Sequence, residues 1–111
     1  MDYDDFESLY KLGLQYLHGI GKPQDVEKAF AYLNLSARQE YHPALMSLAF
    51  MYLDGVYVTQ NKAMAFIRFK ELAKEGHTRA QFITGLMYEH GEGTELNEAK
   101  ATHYYNMSKL I

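Results

Sequence analysis

Apolar and polar positions along this chain follow one pattern that recurs three times. The segment 80–93, AQFITGLMYEHGEG, aligns with 44–57 after a shift of 36 residues and with 8–21 after a second shift of 36. No insertion or deletion interrupts this register. A constant period of about 20 to 50 residues is the signature of a repeat architecture. The sequence therefore predicts three repeats within a single domain over residues 1–111, at about 8–43, 44–79 and 80–111.

Each repeat contains two stretches with the periodicity of an α-helix, which we call helices A and B. In the first repeat, apolar residues occupy most of the circumference of the helix predicted from Phe6 to Leu17 and leave one narrow polar stripe. After a glycine-rich turn, apolar residues return at spacings of three and four, as expected of one helix face. The turn is followed in every repeat by a residue that favours the helix N-cap, namely Asp25, Asn61 and Asn97. The pattern thus predicts six helices.

Two further helix starts have the form of a capping box, in which a residue three positions on completes the cap. Asp4 with Glu7 predicts that the first helix begins near Asp5, and Thr78 with Gln81 predicts the start of the third helix A. Gly76 is placed as the stop of the second helix B.

Small residues recur at one position of each helix. Helix A carries Gly13, Ala49 and Gly85 there, and helix B carries Ala29, Ala65 and Ala101. Glycine inside a helix is unfavourable by roughly 0.5–1 kcal/mol relative to alanine, so its presence indicates that two backbones approach closely. We expect A and B to pack antiparallel at these positions.

These motifs resemble the Sel-one-like repeat, a relative of the tetratricopeptide repeat, whose pattern runs A-x-x-x-L-G-x-x-Y-x-x-G-x-G and continues with D-x-x-x-A. The resemblance covers residues 8–111. It implies an all-α fold: a right-handed α-solenoid of three 36-residue helix-turn-helix repeats, with six antiparallel helices and helix A lining the concave face. Ala49, Thr84 and Tyr57 depart from the pattern. Because Tyr57 replaces a turn glycine, we expect the second turn to differ locally.

Composition narrows the function. The chain has no cysteine, which removes disulfides, thiolate catalysis and zinc-thiolate sites. Its 11 basic and 14 acidic residues give a net charge of −3, and only the middle repeat is basic, with five cations against three anions. Nucleic acid binding requires a basic stripe, so we expect none. No stretch is apolar enough for a membrane span or a signal peptide, which predicts a cytoplasmic protein.

The five histidines are scattered over the repeats, and His18 and His90 occupy equivalent positions two repeats apart. That separation is on the order of 20 Å for packed helices, too far to share a metal. The sequence therefore predicts no metal site, no cofactor and no catalytic group. Acidic residues around 89–98 are expected to form a solvated turn.

What remains is recognition of a protein or peptide, and the resemblance places it on the concave helix-A face. The candidate contact residues occupy four equivalent positions in each repeat: Tyr10, Lys11, Leu14 and His18, then Met46, Ser47, Phe50 and Asp54, then Phe82, Ile83, Leu86 and His90. The apolar positions among them fit either inter-helix packing or an exposed binding surface. Ile83 stands where the other repeats have polar residues, and it is the clearest sign of a surface patch.

The principal hypothesis is a non-enzymatic adaptor that binds another protein. One alternative is an immunity-type inhibitor, because a small acidic protein could mask a basic toxin surface. A second alternative, a protein that binds or hydrolyses β-lactams, comes only from cysteine-rich relatives. The uncovered C-terminal repeat also allows a homodimer or other homo-oligomer.

Overall fold

A computed structural model describes residues 5–109 of the chain. These residues form six α-helices and no strand, which confirms the predicted helix count. The helices are α1 (Phe6–His18), α2 (Val26–Ala37), α3 (His42–Asp54), α4 (Lys62–Lys74), α5 (Thr78–His90) and α6 (Glu98–Ser108).

The three helices that follow the glycine turns begin with the predicted N-caps. Each cap residue has an extended backbone, and its side chain accepts a hydrogen bond from the backbone N–H three residues on. The donor–acceptor distances are 3.1 Å at Asp25, 3.0 Å at Asn61 and 2.9 Å at Asn97. Such bonds satisfy one of the four N–H groups that a helix start leaves unpaired.

The first helix begins next to Asp5 as predicted, but the cap residues of both predicted capping boxes differ from those observed. Asp5 is the N-cap of α1 and accepts from the Glu7 N–H at 3.3 Å, whereas Asp4 lies outside the described residues. At α5 the cap is His77, whose Nδ1 accepts from the Ala80 N–H at 3.1 Å. Thr78 is already helical there, so its side chain is one position too late to cap.

The described residues up to Leu48 belong to one compact unit, which contains α1, α2 and the first half of α3. Helices α1 and α2 are antiparallel, because Ser36 near the end of α2 donates from Oγ to the Phe6 carbonyl at the start of α1, at 2.6 Å. A Cβ built on Gly13 would lie 2.9 Å from Leu33 Cγ and 3.3 Å from the Ala29 carbonyl oxygen. This confirms the close approach predicted from the small residues.

Residues from Ala49 onward form a second compact unit, which contains the end of α3 and all of α4, α5 and α6. Phe69 and Leu72 are completely enclosed there, and the Phe66 and Tyr88 rings meet edge to face at 5.0 Å. Gln81 is buried in this core, and its Nε2 donates to the Ala73 carbonyl at 3.1 Å. The prediction of a single domain over 1–111 stays a prediction.

The turn between helices A and B differs in the second repeat, as the sequence predicts. Gly21 and Gly93 take positive φ angles of 74° and 70°, while Tyr57 at the same repeat position does not. The reason is steric, since a side chain makes that backbone region unfavourable. The turn nevertheless ends normally, because the Asn61 N–H donates to the Tyr52 carbonyl at 2.8 Å.

Candidate functional site

An apolar cavity of about 440 Å³ lies in the second unit. Its walls come from the C-terminal half of α3, from α5, from the start of α4 and from the turn after α5. The lining residues are Phe50, Leu53, Lys62, Ile83, Leu86, Met87, His90 and Glu92. Cavities of about 300–1,000 Å³ accommodate drug-sized groups, so this one has room for one or two large side chains.

The cavity is lined by one face of α5. Ile83, Leu86 and His90 follow each other at spacings of three and four, which places them on one side of a helix. Ile83 and Leu86 are half-buried, whereas Met87 beside them is 3 % exposed and belongs to the core. The two half-buried side chains therefore form the accessible apolar wall.

An ion pair borders one end of the cavity. Lys62 Nζ at the start of α4 lies 2.6 Å from Glu92 Oε2 in the turn after α5. The hydrogen bond and the positive charge of Lys62 lower the pKa of the Glu92 carboxyl below its ordinary value. Both side chains are 44 % exposed, so solvent screens the pair and it contributes little to stability. The pair holds the turn against α4 and leaves this end of the cavity electrically neutral.

A cation lies against one of the lining residues of this cavity. The Arg79 guanidinium carbon is 5.4 Å from the centroid of the Phe50 ring, within the range of a cation–π interaction. Arg79 also precedes Ile83 by one helical turn. The guanidinium therefore lies beside the Phe50 wall of the cavity, on the same face of α5 as Ile83.

The sequence-predicted site residues fall into three groups by exposure. Exposed are Lys11, His18, Asp54 and His90; half-buried are Tyr10, Leu14, Ser47, Phe50, Phe82, Ile83 and Leu86; buried is Met46. The structure brings four of the twelve together at the cavity, namely Phe50, Ile83, Leu86 and His90.

The aligned positions 10, 46 and 82 take part in packing between helices. Tyr10 meets the Tyr41 ring edge to face at 5.5 Å, and Phe82 lies 5.4 Å from the Tyr105 ring. Met46 is 8 % exposed. These three residues do not line the cavity. Their burial and ring contacts favour the packing alternative, which stays a prediction.

Leu53, Lys62, Met87 and Glu92 line the cavity but were not predicted from the sequence. Lys62 and Glu92 lie 30 residues apart, and only the packing of the turn after α5 on the start of α4 brings them together. Arg79 could have been found, since it lies four residues before Ile83 and so on the same helix face.

Tyr105 forms a separate polar contact between α5 and α6. Its hydroxyl donates a short hydrogen bond to the Glu89 carboxylate. Burial first, and then this bond to an anion, raises the pKa of Tyr105 to about 12. The ring lies against Gly85, where an added Cβ would be 2.7 Å from two ring carbons. This contact fixes α6 on α5.

Within residues 5–109, no group of three or more His, Asp or Glu residues is arranged to hold a metal ion. Among the helices of that range, none is long and apolar enough to cross a membrane.

Six helices within residues 5–109, in three repeats of a helix pair, define a helical-repeat protein. The model of the Sel1 repeat matches residues 6–41, 42–77 and 78–109. These matches cover nearly the whole chain with the 36-residue period found above. The chain belongs to the Sel1 repeat family.

Curated relatives include much longer proteins. The chain is 36 % identical over 98 residues to the chitin synthase regulator SKT5 of Malassezia restricta, covering 84 % of this chain and 7 % of the relative. It is 30 % identical over 102 residues to protein sel-1 homolog 2 of Homo sapiens, covering 92 % of this chain and 15 % of the relative. The chain therefore spans only a small part of these relatives.

Solved structures show the same fold. A protective antigen of uropathogenic Escherichia coli, described as displaying an SLR fold, superposes with a TM-score of 0.89 at 28 % identity, over 96 % of this chain and 23 % of the antigen. A Sel1 repeat protein from Oxalobacter formigenes gives 0.86 at 26 % identity, over 96 % and 80 %. The predicted α-solenoid fold class is confirmed.

Proposed function

We propose that this chain is a non-catalytic protein-binding module and that a protein or peptide partner docks on the helix-A residues of α3 and α5. The single observation that carries this proposal is the apolar cavity with Phe50, Ile83 and Leu86 in its walls. Their half-buried side chains leave apolar surface in contact with water. Covering such surface is favourable by about 25 cal/mol per Å², which supplies the driving force for docking.

Two further points support the proposal. The relative from Malassezia restricta is named as a chitin synthase regulator. A name of this kind fits a protein that acts by binding another protein. In addition, Lys62 and Glu92, the oppositely charged groups of the cavity, neutralise each other. An apolar surface bordered at this end by a compensated ion pair fits a docking site, because a partner that covers the Lys62–Glu92 end meets no uncompensated charge there.

The test compares two isoleucine variants in the same unit. Ile83→Ser introduces into the cavity wall the serine that the second repeat has at this position, Ser47. Ile67→Ser is the control, because it makes the same change at a 48 % exposed position on α4 outside the cavity. Immobilised wild type, Ile83→Ser and Ile67→Ser are incubated with lysate of the source organism, and captured proteins are quantified by mass spectrometry.

The expected result is a partner that wild type and Ile67→Ser retain and that Ile83→Ser loses by about tenfold or more, since one large apolar contact is removed. Circular dichroism melting of all three proteins separates lost binding from lost folding. If the folded Ile83→Ser and Ile67→Ser variants captured equal amounts of every partner, the cavity would not be the docking site.

A further inference from the structure

The α5–α6 loop, residues 91–97, carries a leucine, Leu96, where the equivalent loops of the other two repeats have glutamine. Those two loops have their exposed apolar side chains at another position, Ile20 and Val56, where the third repeat has Glu92. Leu96 is 61 % exposed. At the equivalent positions, the Nε2 atoms of Gln24 and Gln60 donate to the Leu17 and Leu53 carbonyls at 2.8 and 2.9 Å. A leucine cannot make this bond, so the third repeat exchanges a helix-end hydrogen bond for exposed apolar surface.

The neighbour of Leu96 supplies a negative charge. Glu95 is exposed, and none of the ion pairs within residues 5–109 involves it. The loop thus presents an apolar side chain next to an uncompensated carboxylate.

The cavity has the complementary chemistry. Its accessible wall is apolar, through Ile83 and Leu86, and the Arg79 guanidinium lies against the ring of Phe50, one of its lining residues. Within the described part of the chain, Arg79 has no ion pair. Although the whole chain carries a net charge of −3, the uncompensated charge beside the Phe50 wall of the cavity is positive.

We infer that the cavity binds the α5–α6 loop of a second copy of this chain, with Leu96 in the cavity and the Glu95 carboxylate against the Arg79 guanidinium. Arginine and carboxylate form paired N–H···O bonds, and burial of Leu96 removes its apolar surface from water. This inference rests on the proposed docking role of the cavity and names its occupant. Self-association then competes with any other partner for the same cavity.

This assignment differs from the homodimer predicted from the sequence, which used the uncovered end of the last repeat. Helix α6 carries exposed Thr102 and Asn106 beside the partly exposed Met107, and its C-cap Lys109 is exposed. The loop and the cavity instead offer an apolar group and a charge on each side of the contact.

The first experiment measures weight-average mass by light scattering from micromolar to millimolar protein. For wild type the mass rises with concentration. Leu96→Gln restores the residue of the other two repeats and weakens association by more than about tenfold. Leu35→Gln, the same change at a 42 % exposed leucine on α2, leaves association unchanged. A wild-type mass that stays monomeric throughout, or equal effects of the two variants, overturns the inference.

The second experiment exchanges the two charges. Arg79→Glu alone and Glu95→Arg alone each weaken association by about tenfold, because attraction is replaced by repulsion. The double variant recovers wild-type association, since the pair forms again with its signs exchanged. Arg38→Glu, at an exposed arginine of the first unit, controls for net charge. A double variant as weak as the single ones overturns the contact.

The two proposals fail in different ways. A strictly monomeric wild type removes self-association and leaves the capture experiment with Ile83→Ser and Ile67→Ser to decide the docking role. Self-association that Leu96→Gln abolishes, together with no partner lost on Ile83→Ser, would instead leave the cavity as a site for this chain alone.

Discussion

The first and third repeats share the same glycine turn, yet the surroundings of that turn differ. A Cβ on Gly21 would have no atom within 4 Å, whereas a Cβ on Gly93 would collide with the Lys62 carbonyl and lie 3.1 Å from Phe66 Cβ. Both glycines have positive φ. Gly21 is therefore required only by its positive φ, whereas Gly93 is required both by its positive φ and by the lack of space for a Cβ.

The position opposite the helix-A glycine shows a second difference. Leu33 packs on Gly13 and is completely buried, while Tyr105 packs on Gly85 and also donates to Glu89. The side chain opposite the helix-A glycine is therefore purely apolar in the first repeat. In the third repeat it includes a titratable group whose protonation is coupled to folding.

The largest expected effect is a loss of stability when the turn glycine of the third repeat is replaced. Gly93→Ala combines an unfavourable positive φ with overlap against backbone, and it should lower the free energy of unfolding by about 3 kcal/mol or more. Gly21→Ala meets only the conformational penalty, about 1–2 kcal/mol. Urea denaturation of both variants measures the difference. Equal losses would show that the contact between Gly93 and α4 adds nothing.

A smaller effect concerns pH. Tyr105 has a pKa of about 12 in the folded protein, against about 10 in the unfolded chain. Because the folded state holds this proton more tightly, the resulting stability is complete below pH 10 and is lost as pH rises from about 10 to about 12. With partial solvent screening, the loss should be on the order of 1 kcal/mol.

The measurement is urea denaturation of wild type and Tyr105→Phe at several pH values from neutral to alkaline. The variant keeps the ring against Gly85 and removes the hydroxyl, so the difference between the two proteins isolates the titration of Tyr105. Parallel pH dependences would contradict this account.

The smallest expected effect is a change of stability at position 96, next to the end of helix A in the third repeat. Leu96→Gln should raise the free energy of unfolding by about 0.5–1 kcal/mol, because it can restore the hydrogen bond that Gln24 makes in the first repeat. Gln24→Leu should lower it by a similar amount. Thermal melting at low protein concentration, where self-association is negligible, provides the measurement. A destabilised Leu96→Gln variant would indicate that Leu96 already has a packing role in the monomer.

Much of the fold was predictable because it depends on local signals. The N-caps at Asp25, Asn61 and Asn97 follow from residue type and spacing, and the altered second turn follows from Tyr57. The capping box at Thr78 failed since His77, a residue that sequence rules seldom place at an N-cap, accepts the hydrogen bond.

The candidate site was predictable only in part. Ile83 stood out because it departs from the polar residues at the same position in the other repeats. Phe82 was predicted beside it from a position that is apolar in all three repeats, and it packs on Tyr105. Sequence pattern alone marks both residues as apolar, and it does not say which side of α5 is already covered by α6.

The sequence alone predicted the period, the six helices, the N-caps of α2, α4 and α6, and the close contacts of small residues with their partner helices, because these depend on interactions within one repeat. Only the tertiary structure decided which apolar residues form the cavity, how the Lys62–Glu92 pair borders it and where Arg79 lies. The reason is that these features join residues of different repeats, and their distances depend on how α3, α4 and α5 pack against each other.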